Sequence, residues 1–306
     1  MGGAVAVGVF DGLHLGHRLI LDRMCERADR AGGPRVVVSF DPHPDVVLSK
    51  TFQALPPLTP LPEKRARLAA LGIERCDVLP FTRELAALSP EAFIERHLVA
   101  PYAPAALVVG ENFALGRGRA GDVPRLREVG RHLGFEVEAV PLLQLEGAAV
   151  TSTRIRAQLN AGDVAGAARL LGRRYGLEAT VVTGAGVGRT IGMPTANLRL
   201  HDEKAVPAHG IYAVWVRLEG EGKLLPGAMS IGVRPTFGGK VPTLEVHLLD
   251  WSGELVGRSL EVEFESWLRE QRTFEGPGPL IEAMRADVAE VRRRLAAPAT
   301  PGPRAR

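Results

Sequence analysis

Cysteine is scarce in this chain: Cys25 and Cys76 are the only two, far apart and outside any Cys-x-x-Cys spacing. That excludes a disulfide scaffold and a paired-cysteine redox or zinc motif, and a reduced, cytoplasmic protein is expected. No apolar run approaches the roughly 20 residues that a membrane helix needs. The N-terminus has no basic region and Asp11 interrupts its apolar stretch, so it does not read as a signal peptide. There is no G-x-x-x-x-G-K-[ST] phosphate loop, no internal repeat and no covalent nucleophile paired with a base. Excess charge is also missing: the formal net charge is +3. Arginine far outnumbers lysine and the pI is about 9.1, a weak pointer to anionic ligands whose default explanation is a solvated surface.

What is present suffices for two cores: 306 residues, 45% hydrophobic and 24% charged. The stretch from Val7 to His17 reads "VGVFDGLHLGH". Small Ala4, Ala6 and Gly8 and β-branched Val5, Val7 and Val9 read as a buried strand at its start. After it, Leu15, Leu19, Ile20, Met24 and Ala28 recur at helical spacing until Gly32-Gly33. His14 and His17 therefore fall at a strand-to-helix junction, where unpaired N–H groups and the helix dipole favour an anion. Gly16 is expected to let a ligand approach the backbone. A helix cap, or rings facing solvent, would explain a lone histidine better, but a His-x-Gly-His directly behind a buried strand argues against it. A zinc site lacks a nearby third ligand.

The first half alternates elements. Strands are expected at Arg35–Phe40, Cys76–Phe81, Ala105–Gly110 and Glu136–Leu143. Helices are expected at Glu63–Leu71, from Ser89 to about Val99, and at Pro124–Leu133. This order implies an α/β, Rossmann-like parallel sheet with helices on both faces. Ligands bind such sheets at the carboxyl ends of strands, where Asp11–His17, Asp41–Pro44, Gly110–Gly116 and Thr151–Arg156 should converge. Past Leu171 strands follow one another at Glu178–Thr183, Ile211–Leu218, Gly227–Val233, Thr243–Leu249 and Ser259–Ser266. That is the pattern of a small antiparallel, Greek-key-like β-barrel. Leu280, Met284, Val288, Val291 and Leu295 mark one amphipathic C-terminal helix. The expected domains are 1–172 and 173–297, with a disordered tail at 298–306.

In "TSTRIR", Ser152, Thr153, Arg154 and Arg156 offer hydroxyls and cations at a helix start, which suits a polyphosphate; an N-cap with surface arginines would look the same. In "GAGVGRTIGMPTANL" the glycines suit a phosphate cradle, and an ordinary hairpin loop is the common alternative. Thr195 and Asn197 are oxygen donors of the kind magnesium prefers. Glu245 alternates with Leu244 and Val246, so it faces away from them. It becomes a candidate base only if a hydroxyl substrate sits at the barrel mouth.

These segments, with "SFDPHP", "VVGENFALGRGRAGD", "GIYAVWV", "SIGVRPTF", "LEVHLLDWSGELVGRSLEVEF" and "LREQRTF", occur in an order that resembles the bacterial bifunctional riboflavin kinase/FAD synthetase family. The resemblance runs from Val7 to Leu295. It implies an N-terminal nucleotidyltransferase domain that adenylylates FMN to FAD, releasing pyrophosphate, and a C-terminal barrel that phosphorylates riboflavin to FMN. ATP is the implied co-substrate and Mg²⁺ the implied cofactor. The implied catalytic residues are His14, His17, Arg156 and Glu245. Gly8, Phe10, Asp11, Gly16, Ser152, Thr153, Arg154, Gly184, Gly188, Arg189 and Thr195 match ATP or phosphate positions. Asn112, Phe113, Asp41 and His43 match flavin positions, and Thr195 and Asn197 the metal ligands. Ala114 and Leu115 stand where the family has larger residues, so a chain retaining only the kinase is one alternative. A single-domain adenylyltransferase, a flavin-storing descendant and a nucleic-acid-binding protein are others, and the second domain lacks the aromatic-plus-basic ladder of single-strand binders. No nucleic-acid or membrane partner is expected, and the oligomeric state is left open.

Overall fold

The computed structural model describes residues 2–48, 55–184, 186, 188, 192–233 and 242–296. Arg189 and the expected tail at 298–306 lie outside the described residues. The chain divides into two compact units, Met1–Ser152 and Thr153–Arg306.

The main elements of the first unit are β1 (Ala4–Val7), α1 (Leu15–Ala31), β2 (Arg35–Asp41), α2 (Leu61–Ala70), β3 (Arg75–Pro80), β4 (Ala106–Gly110), α3 (Val123–Leu133) and β5 (Glu136–Val140). The strands form one parallel sheet in the order β3-β2-β1-β4-β5. β1 is apolar on both faces because both are covered. Val5, Val7, Val36 and Leu107 pack on one side with Phe93 and Leu126. Ala4, Ala6, Val37 and Val108 pack on the other with Leu21, Met24 and Ala28 of α1. Gly32 ends α1 in the left-handed conformation, at φ 63°. Strand order reverses between β1 and β4, the kind of switch point at whose carboxyl ends such sheets bind ligands.

Two expected elements differ. The helix from Ser89 is interrupted: α-helix over Pro90–Ile94 gives way to a π-turn at Glu95–Val99. β5 stops at Val140 because Pro141 has no N–H for the ladder, and Leu142 N–H turns instead to Glu111 Oε1 at 2.8 Å.

The second unit contains α4 (Ser152–Asn160), whose first residue closes the first unit, and α5 (Val164–Leu171). Six strands come next: β6 (Gly176–Val182), β7 (Ala196–Leu200), β8 (Gly210–Leu218), β9 (Leu224–Val233), β10 (Pro242–Leu248) and β11 (Ser259–Arg269). They close into a barrel in the order β6-β7-β10-β9-β8-β11. β11 returns beside β8, giving the Greek-key order β11-β8-β9-β10. Leu177, Val181, Met229, Ile231, Val246 and Phe264 are buried, and Tyr212 meets Phe264 edge-on at 5.2 Å. β7 is a strand the sequence does not announce, because "PTANL" reads as a turn rich in polar residues. Its buried Ala196 and Leu198 nevertheless alternate with half-buried Asn197 and exposed Arg199. α6 (Pro277–Ala296) ends the described chain, and its Val291 is buried with Ala213 and Leu249.

Candidate functional site

In the first unit the turn after β1 carries Phe10 at φ 51° and Leu13 at φ 43°, a left-handed conformation that non-glycine residues rarely adopt. His14 is the N-cap of α1, and its Nδ1 accepts the His17 backbone N–H at 3.2 Å. An accepting Nδ1 bears no proton, so the His14 proton sits on Nε2, on the far side of the ring. The His14 and His17 rings stack at 3.6 Å with an interplanar angle of 15°. Phe10 meets His17 edge-on at 5.2 Å. Burial, followed by the electrostatic opposition of the stacked His14 ring and of the Lys64 ammonium, holds the His17 imidazole well below its ordinary range. His17 is therefore neutral near pH 7, and its Nδ1 is buried without a hydrogen-bond partner among the described residues.

Gly16 also serves the packing of this turn. A Cβ there would sit 3.2 Å from His14 Nδ1, a tight contact that the glycine avoids. At Gly8 a Cβ would come within 3.2 Å of the Phe10 ring. Phe10 is itself core, at 1% exposure, and supports His17 from behind.

Asp11 is buried, and its Oδ1 accepts from Leu58 N–H at 2.9 Å and Thr59 N–H at 3.1 Å. Its carbonyl accepts from Ser152 Oγ at 2.8 Å. Both residues thus fasten the turn. Thr153, Arg154 and Arg156 lie in the first turns of α4, within the second unit. Asp41 ends β2, and His43 Nδ1 accepts from Asp45 N–H at 3.2 Å. Beyond β4, the Asn112 carbonyl accepts from Arg119 Nη2 at 3.0 Å, while Phe113 packs against the core.

In the second unit the site is made by register. Asn197 on β7 and Ser230 on β9 both lie directly opposite Glu245 on β10. Thr195 Oγ1 donates to Glu245 Oε2 at 3.4 Å. Two glycines are fitted against this group. A Cβ on Gly184 would fall 1.9 Å from Asn197 Nδ2, and one on Gly188 would fall 3.0 Å from Thr195 Oγ1. A cavity of about 230 Å³ is lined by Thr195, Ser230, Glu245 and His247 with Met284 and Val288 of α6. The inward face of β10 is apolar, so this cavity lies on the outer wall of the barrel beneath α6, not at the barrel mouth.

Three polar contributors escaped the sequence reading. His247 Nδ1–H donates to the Pro194 carbonyl at 2.8 Å, tethering the segment before β7. Gln271 Nε2 donates to Ser230 Oγ at 2.9 Å. Arg269 holds Asp287 through two contacts of 2.8 and 2.7 Å. Only His247 left a signal: it stands two residues after Glu245, on the same strand face.

Paired imidazoles at the switch point of a parallel sheet, together with a barrel holding a carboxylate opposite an amide and beside a hydroxyl, define a two-unit nucleotide-using transferase. The family model for FAD synthetase matches residues 1–154, and that for riboflavin kinase matches residues 171–295. The bifunctional riboflavin kinase/FMN adenylyltransferase of Pseudomonas fluorescens is 41% identical over 298 residues, covering 97% of this chain and 94% of the relative. The protein of that name from Listeria monocytogenes is 35% identical over 291 residues, covering 94% and 91%. A crystal structure named as a macrolide-efflux protein from Streptococcus pneumoniae superposes with a TM-score of 0.88 at 28% identity, covering 95% and 94% of the two chains. Among the described residues no helix is long and apolar enough to cross a membrane. The chain belongs to the bifunctional riboflavin kinase/FMN adenylyltransferase family.

Proposed function

We propose that this chain makes FAD in two ATP-dependent steps, phosphorylating riboflavin in its barrel and adenylylating the resulting FMN in its first unit. The observation that carries the reading is that each family-matched half holds its own polar constellation: stacked His14 and His17 in one, Thr195, Asn197 and Glu245 in the other. The functional boundary is proposed at residues 172 and 173, and the compartment is proposed to be the cytoplasm, from the free Cys25 and Cys76.

In the kinase step Glu245 accepts the proton of the ribityl hydroxyl as its oxygen attacks the γ-phosphorus of ATP, the bond to the bridging oxygen breaks and ADP leaves. Thr195 and Asn197 present hard oxygen donors, and Gly184 leaves the Asn197 amide the space a Cβ would fill, so the pair fits a magnesium ion. Such an ion supplies neutralisation of phosphate charge. Gly188, packed against Met193 and Thr195, and Arg189, outside the described residues, are the phosphate contacts of this reading.

In the adenylyl-transfer step a phosphate oxygen of FMN attacks the α-phosphorus of ATP and pyrophosphate leaves. FMN is already an anion, so no base is needed; the site must stabilise charge as it moves. His14 Nε2–H and the α1 N-terminus supply donors. Neutral His17 backs His14 without adding a competing cation. Ser152, Thr153, Arg154 and Arg156 supply the remaining phosphate contacts, and Asp41, His43, Asn112 and Phe113 the flavin contacts.

The test is to incubate the pure protein with riboflavin, ATP and magnesium and to separate the flavins by chromatography. FMN should form first and FAD after it, with pyrophosphate. FMN alone would overturn the first-unit assignment, and unchanged riboflavin would overturn the whole reading.

A further inference from the structure

The segment leading into α2 is fastened to the histidine turn by two buried charged groups. Asp11 reaches from the turn to the N–H groups of Leu58 and Thr59. Lys64 reaches back from α2: its Nζ donates to the Val9 carbonyl at 2.8 Å and lies 3.5 Å from Ser39 Oγ. Ser39 Oγ donates to the same Val9 carbonyl at 3.1 Å. Lys64 is 6% exposed. Burying an ammonium costs several kcal/mol unless it is paired and hydrogen-bonded, so a structural core position would carry an apolar residue at lower cost.

We propose that Lys64 is a positioning residue of the adenylyl-transfer site, pinning the last carbonyl before the turn so that His14 and His17 keep the places from which they act. The inference rests on the adenylyl-transfer reading of that turn. Val9 precedes Phe10, where the chain enters the left-handed conformation, and Phe10 braces the His17 ring. A shift of the Val9 carbonyl therefore passes through one residue to the stacked imidazoles. Lys64 also acts through its charge. The groups that act on His17 are His14, stacked on it, and the Lys64 ammonium from α2, and both oppose its protonation. Asp11, Cys76 and Asp41 in turn favour the charged form of Lys64 against its burial. Among these surroundings Lys64 is the cation supplied from another element, and it helps keep His17 neutral.

The experiment is Lys64→Met in the full chain, with the rates of both activities measured and the His17 imidazole followed by NMR across pH. We expect kcat for FAD formation from FMN to fall about tenfold or more, the effect of a small misplacement, with KM for FMN and ATP within about twofold. Riboflavin phosphorylation should be unchanged, and dispersed NMR signals from the first unit certify its fold. The His17 midpoint should move to higher pH, and Lys64→Arg should restore it. If Lys64→Met fails to fold, Lys64→Gln is read by the same measurements, keeping a donor for Val9 without the charge. An unchanged kcat for FAD formation in a folded variant overturns the proposal, as does an unmoved His17 midpoint. If instead His14→Ala leaves FAD formation intact, the adenylyl-transfer reading fails, and the NMR midpoint still reports separately on Lys64 and His17.

Discussion

The two units build polar sites by opposite routes. In the first, the central strand β1 is apolar and buried, and the proposed chemistry is confined to the strand ends and the turns beyond them. His14 and His17 stand on a turn that must be held in place from several directions, by Phe10, Asp11, Ser39, Lys64 and Ser152. In the barrel, the strands themselves carry the site. Asn197, Ser230 and Glu245 meet because antiparallel register sets them opposite one another, and strand alternation turns them outward. A loop site depends on its fastenings, and a register site depends on little beyond the ladder.

Glu245→Gln should break one side of this comparison most strongly. Riboflavin phosphorylation should fall roughly 10²–10⁴-fold, the worth of a general base, while FAD formation from supplied FMN persists. Steady-state rates on the two flavins check this. His14→Ala is the counterpart, with an expected loss of about 10²–10³ in FAD formation and normal FMN production, since it removes one preorganised donor. Gly184→Ala should act more mildly. Its methyl must displace the Asn197 amide, so KM for magnesium-ATP should rise about tenfold in the kinase reaction, with the barrel still closed by circular dichroism and adenylylation unaffected.

The smallest effect concerns stability. His17 is held below its ordinary value of 6.5, so as pH falls the unfolded chain takes up that proton before the folded chain does. Stability is lost from about pH 6.5 downward, with a slope approaching one proton. Urea midpoints at about pH 7.5 and pH 5.5 should separate more for the wild type than for His17→Asn.

The sequence makes much of this legible, and unequally. Alternating strand and helix patterns mark the parallel sheet, because β1 and β4 are buried apolar runs and the buried stretch of β2 is interrupted only by Ser39. The barrel is legible as a class but not strand by strand. β7 is hidden because Thr195 and Asn197 make "PTANL" look like a turn, although those residues stand where they do because Ala196 and Leu198 face inward. His14 and His17 can be found from their junction, whereas the reason for Gly16 cannot. Only the folded turn shows that the His14 ring lies 3.2 Å from where a Cβ on residue 16 would sit. Lys64 gives no signal, since a lysine after a glutamate on a helix ordinarily faces solvent.

The central claim is that two separate constellations perform two separable reactions, and a mixing experiment tests it most directly. Glu245→Gln and His14→Ala proteins are each given riboflavin, ATP and magnesium, alone and together, and the flavins are separated. Neither protein alone should make FAD, the His14→Ala protein should accumulate FMN, and the mixture should convert riboflavin to FAD. FAD from the Glu245→Gln protein alone, or a mixture that stops at FMN although Glu245→Gln converts supplied FMN, would contradict the account.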